Sequence, residues 1–115
     1  MSRKVLLTAE HHNFGLMLQS DWRQTKYILF ESGTLQSVVF RGSSIIANER
    51  QITDEELTFI KDNIEEIVRN TPEIQACDGE AWQFEGPDYY FPLGYIYDTE
   101  LELIANILLS QNKNR

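Results

Sequence analysis

The hydrophobic spacing of this chain changes at Thr53, and that change dictates a mixed architecture. Before it, short β-branched or aromatic runs alternate with turn residues: Lys4 to Ala9, Phe14 to Gln19, Tyr27 to Glu31, Leu35 to Phe40, and Ser44 to Ala47 or slightly beyond. After it, Leu57, Ile60, Ile64, Ile67 and Val68 recur at helical spacing up to Asn70, and Pro72 forbids continuation. The switch carries its own start signal. Thr53-Asp54-Glu55-Glu56 spells a capping box, in which the threonine hydroxyl accepts from the Glu56 amide while the Glu56 carboxylate reaches back. Acids in that first turn also oppose the positive end of the helix dipole.

On the strand side, the clearest hairpin joins Tyr27 to Glu31 with Leu35 to Phe40 through Ser32-Gly33-Thr34, where Gly33 supplies the positive φ of the loop. Turn residues at His12-Asn13, Ser20-Asp21 and Arg41-Gly42-Ser43 extend this into an antiparallel meander of about five strands. Beyond the helix, Cys77-Asp78-Gly79 reads as a turn and Glu80 to Glu85 as a strand with Trp82 and Phe84 on one face. Gly86-Pro87-Asp88 is a second turn, and Tyr89 to Tyr97 is extended, with Pro92 confining part of it to an edge or an irregular path. A second capping box, Thr99-Glu100-Leu101-Glu102, predicts a last helix to about Ser110, with residues 110–115 a frayed polar tail. The expected fold is α+β: a five-stranded meander plus a later hairpin, with two helices packed on one face of the antiparallel sheet.

A chain of 115 residues that is 42% hydrophobic can bury one core, so residues 1–115 are expected to form a single domain. Cys77 is the sole cysteine, which excludes an internal disulfide. The apolar run behind the basic start is only Val5-Leu6-Leu7, too short for a signal core or a membrane span, and the expected location is the cytoplasm.

Charge divides the sequence sharply. Between Asp54 and Glu102 fourteen acids face two bases, a formal charge of −12, whereas residues 1–53 carry six bases and four acids. Such a field draws cationic proteins and repels polyanions, so nucleic acid is not an expected partner despite a small basic set at Arg3, Lys4, Arg23, Lys26 and Arg41.

Candidates for chemistry are sparse. His11 and His12 are adjacent, so on a strand they point to opposite faces, and an exposed loop accounts for them better than a shared metal. No helix N-terminus follows Cys77 to lower its pKa, and Glu80 and Glu85 fall on opposite sides of a strand. The glycines are scattered singly rather than gathered in a phosphate loop, and Asp78-Gly79-Glu80 lacks the spaced oxygen ligands of a calcium loop. No cofactor, metal or catalytic set is expected.

Phe59 is the residue that stands out. With Leu57 as the centre of the apolar face, Phe59 lies about 160° away and shares the outer face with Glu55, Asp62 and Glu66. An aromatic inside an acidic stripe suits a partner-binding surface, an anchor with a rim of charge. The alternative is that a segment such as Tyr89 to Phe91 folds over the helix and covers it. Asp88, Tyr89 and Tyr90 on the later loop form a second candidate surface. In the last helix Leu103 and Ile107 lie off the face made by Leu101, Ile104, Ala105 and Leu108, which suits either internal packing or a homodimer contact.

The C-terminal section CDGEAWQFEGPDYYFPLGYIYDTELELIANIL resembles small bacterial immunity proteins that neutralise toxin domains delivered between competing cells. Asp78, Gly79, Trp82, Phe84, Gly94, Tyr95, Tyr97 and Leu101 carry the resemblance, over about a third of the chain. It implies a stoichiometric inhibitor that covers the active site or groove of a cationic toxin encoded by a neighbouring gene. If that toxin is a nuclease, carboxylates would compete by imitating phosphates. The competing readings are a small enzyme or ligand-binding domain, with a pocket lined by Trp22, Trp82 and the tyrosines, and a homodimeric structural subunit.

Overall fold

The computed structural model describes residues 4–14, 23–41, 43–75 and 79–110. Among these residues six strands form one antiparallel sheet: β1 (Val5–Phe14), β2 (Arg23–Phe30), β3 (Thr34–Arg41), β4 (Ser44–Gln51), β5 (Gly79–Glu85) and β6 (Tyr90–Gly94). Their spatial order is β4-β3-β2-β1-β5-β6, so β1 is central and β4 and β6 are the edges. Helix α1 (Asp54–Asn70) carries the chain from the β4 edge back toward β5, and α2 (Leu101–Leu109) closes the described fold. The architecture is α+β, with a helical layer on an antiparallel sheet.

Alternation along the strands builds the core. Tyr27, Ala9 and Phe84 stand in one row across β2, β1 and β5, and Leu29 pairs with both Leu7 and Leu35. Against these pack Ile60, Ile64, Ile67 and Val68 from α1 and Leu101, Ile104, Ala105 and Leu108 from α2, all buried. Trp82 and Phe84 are core residues at 4% and 0% exposure, and their rings stack 5.6 Å apart.

Helix α1 starts as its sequence dictates. The Glu56 amide donates to Thr53 Oγ1 and the Thr53 amide to Glu56 Oε1, both at 3.0 Å. Gly33 takes φ 94° in the β2–β3 turn, which its amide closes on the Phe30 carbonyl.

Three expectations are corrected. The turn at His12-Asn13 does not exist: β1 runs straight through it, paired with β2 and β5 at once, and two ladders outweigh the turn preference of two residues. The histidines are accordingly half-buried strand residues rather than an exposed loop, and the His11 ring stacks on Trp82 at 4.3 Å. The second capping box is absent. Thr99 directs its hydroxyl at the Ile96 carbonyl, Glu102 accepts from the Asp98 amide, and α2 begins from Glu100 with no side-chain cap. Asp98 at φ 62° tightens the preceding turn and displaces that pattern by one residue. The strand expected at Phe14 to Gln19 is represented only by Phe14 as the last residue of β1. Its remainder, the turn at Ser20-Asp21, Trp22 and Cys77-Asp78 lie outside the described residues.

Candidate functional site: an acidic cleft beside the β5–β6 turn

The turn after β5 is fixed before it reaches helix α1. The Gly86 amide donates to the Tyr89 carbonyl, and the Tyr89 hydroxyl donates to the Leu6 carbonyl at 3.2 Å, tying the turn to β1. The Tyr89 ring is half-buried against the core. Burial pushes its phenol well above the usual tyrosine value, and the nearby Glu65 carboxylate adds to the shift, so Tyr89 stays a neutral hydrogen-bond donor.

Between this turn and the C-terminal half of α1 lies an open cleft of about 220 Å³. Glu65, Arg69, Glu73, Asp88, Tyr89 and Tyr90 line it, with Val68 and Thr71. Arg69 is the one base among those lining residues, and it already donates to Glu65 at 2.7 Å across one helical turn. Glu73 and Asp88 are exposed carboxylates, and Tyr90 is 54% exposed, with its hydroxyl accepting from Gln83. The cleft therefore presents negative charge around an accessible aromatic ring, an arrangement that fits the cationic side chains of a protein partner.

Of the two surfaces expected from the sequence, the later loop lines this cleft and the outer face of α1, Glu55, Phe59, Asp62 and Glu66, does not. Asp88, Tyr89 and Tyr90 line the cleft, and Glu66 is adjacent in sequence to its Glu65 wall. Asp62 is exposed one turn earlier. Glu55 is exposed at the far end of α1, eleven residues or roughly 16 Å along the axis from Glu66. Phe59 is half-buried and packs against the core cluster, so it offers less free surface than its helical angle implies. Glu65 and Glu73 were not singled out from the sequence. The signal for them was local: Glu65 stands four residues before Arg69, and Glu73 follows the Pro72 that ends the helix.

Two other concavities bear on the competing readings. Trp82, with Glu80, Tyr97 and Glu102, walls a cavity of only about 70 Å³. A broader groove of about 550 Å³ runs beyond the C-terminal end of α2, bordered by Tyr27, Asn48, Arg50 and Leu108. Arg50 is committed there to structure, donating to the Ile107 carbonyl at 2.7 Å and the Leu108 carbonyl at 3.4 Å and so satisfying the open end of α2. In the last helix Leu103 is 51% exposed, while Ile107 is half-buried against the core. Among the described residues no group of three or more His, Cys, Asp or Glu side chains could hold a metal ion, and no helix is long and apolar enough to cross a membrane. The chain matches no family model, no curated protein and no solved structure.

Proposed function

We propose that this protein is a stoichiometric inhibitor of the immunity type, which acts in the bacterial cytoplasm by binding a cationic toxin domain encoded by a neighbouring gene. The observation that carries this reading is the cleft in which Glu65, Glu73 and Asp88 surround the exposed Tyr90 while the local arginine is already paired. An aromatic anchor ringed by carboxylates gives a basic partner both a desolvated contact and long-range steering. The exposed acids of α1, Glu55, Asp62 and Glu66, extend the field beyond the cleft. Were the toxin a nuclease, the same carboxylates would occupy the positions of substrate phosphates in its groove.

The test is co-purification with the product of the neighbouring gene, followed by binding kinetics of Asp88→Lys and Tyr90→Ala. A one-to-one complex weakened by both substitutions is the expected result. Wild-type binding by both variants, in proteins that fold normally, would move the surface elsewhere. The groove bordered by Tyr27, Asn48 and Arg50 favours one other reading, a small-molecule binding domain. That reading requires a ligand that raises the melting temperature of the purified chain without any protein partner.

A further inference from the structure

The β4 edge is built unlike any other part of the sheet. Seven of its eight residues are exposed and the eighth is half-buried. It holds no proline, its pairing with β3 is unbroken from Ser44 to Gln51, and among the described residues no strand covers its outer side. Ile45 and Ile46 are 66% and 57% exposed, and because they are adjacent they project from opposite faces of the sheet. Each is backed by an apolar neighbour on β3, since Phe40 pairs with Ile45 and Val39 with Ile46. An eight-residue edge with unbroken register, exposed isoleucines on both faces and no proline or bulge is a template for another strand.

We infer that β4 pairs antiparallel with β4 of a second copy of this chain, about a twofold axis that passes through Ile46. The occupant follows from register. An antiparallel pair related by a twofold axis normal to the sheet places a residue on that axis opposite itself and keeps both helical layers on one side. With the axis at Ile46, that residue meets the partner's Ile46, Ile45 meets the partner's Ala47, and Ser44 meets the partner's Asn48. Both isoleucines then find apolar partners. Centring on Ala47 instead sets Ile45 against the partner's Glu49 and Ile46 against the partner's Asn48. Centring on Asn48 sets Ile46 against the partner's Arg50. Centring on Ile45 shortens the overlap and faces Ile46 with the partner's Ser44. Only the first register is self-complementary on both faces, and it joins Val39 and Ile46 to their counterparts in one apolar row.

Charge permits this contact where it opposes others. The chain carries −8 overall, yet residues 34–51 contain two bases and one acid. Two copies that meet along β4 therefore approach through a nearly neutral strip, with the acidic clefts beside β5 and β6 at the outer ends of the joined sheet.

The test is the mass of the purified full chain across micromolar concentrations, by light scattering or sedimentation. A concentration-dependent dimer is expected, with Ile46→Lys shifting it to monomer and Leu103→Lys, on the exposed side of α2, leaving it intact. A second measurement reads the register directly: in a Cys77→Ser background, Ile46→Cys should give a disulfide-linked dimer on mild oxidation, and Asn48→Cys should not. A wild-type chain that stays monomeric throughout, a dimer indifferent to Ile46→Lys, a dimer lost with Leu103→Lys, or equal cross-linking at Asn48 would each overturn the inference.

Discussion

The two edges of the sheet are managed in opposite ways. Strand β6 is five residues long, contains Pro92, buries Phe91 completely, and is covered by the segment after α1, where Gln75 bridges to Gly94 and the Tyr95 amide donates to the Ile74 carbonyl. Strand β4 is eight residues long, has no proline, and shows isoleucines on both faces. The first edge is protected by packing, by its proline and by the segment that covers it, and the acidic cleft is built on the protected side. The second is left open and nearly neutral. A sheet with one blunted edge and one open edge can engage two different partners without competition.

The largest test of this contrast is Trp82→Ala. Trp82 is buried on β5, stacked between His11 at 4.3 Å and Phe84 at 5.6 Å, so its removal should destabilise the chain by about 3–5 kcal/mol. Urea denaturation measures this, and an unchanged midpoint would mean that the β5 side is not the anchored one. Gly94→Val comes next. A Cβ at Gly94 would lie 2.5 Å from the Ile74 carbonyl oxygen, a backbone atom that cannot swing aside, so the covering segment must separate from β6. The expected cost is about 1–3 kcal/mol, with faster hydrogen exchange at the Tyr95 amide. Normal exchange there would show that the cover tolerates displacement.

What the sequence made legible was what depends on nearest neighbours. The capping box at Thr53, the helical stripe from Leu57 to Val68, the Gly33 turn and the Trp82/Phe84 face are each specified within a few residues, and each stands in the structure. His12-Asn13 failed because a central strand is decided by what pairs on both sides, which no window of β1 contains. Thr99 failed because the Asp98 turn redirects its hydroxyl. The site was half legible for the same reason. Helical spacing places Glu55, Asp62 and Glu66 on the outer face of α1 and the sequence groups Asp88 to Tyr90 on one loop, but that the loop instead faces Glu65, Val68 and Arg69 across the cleft depends on the Tyr89 hydrogen bond to Leu6, 83 residues away. That Phe59 is half-buried against the core was not legible, because angle around a helix does not report what lies beside it.

Binding kinetics sharpen the comparison at the acidic side. Association with a cationic partner should be fast at low salt and slow as ionic strength rises, because exposed carboxylates act beyond contact only within a Debye length of roughly 8–10 Å. Charge reversal at Asp62 or Glu66 should act mainly on the on-rate, by about threefold to tenfold, and Asp88→Lys in the cleft should act at least as strongly. Tyr90→Ala should act on the off-rate, and Phe59→Ala should have the smaller effect of the two because its ring is already packed. A salt-independent on-rate would mean that these carboxylates do not steer the partner.

The smallest effect expected is the most specific to the protected edge. Tyr89 has its folded-state pKa raised by burial and by Glu65, and Tyr27 is raised by burial although Arg50 pulls it back. A group raised on folding contributes stability in full below its unfolded value, near pH 10, and loses that contribution as pH rises through the folded value. The chain should therefore weaken progressively above about pH 10, with its melting temperature flat over the neutral range for this cause. Tyr89→Phe deletes the titrating group together with its bond to the Leu6 carbonyl, so it should cost about 0.5–1.5 kcal/mol at pH 7 and less in alkali. Thermal melts of both proteins at neutral and alkaline pH make the comparison. A deficit that stays constant or grows with pH would mean that the tyrosine ionises without strain, and the β5–β6 turn would then be an open edge like β4.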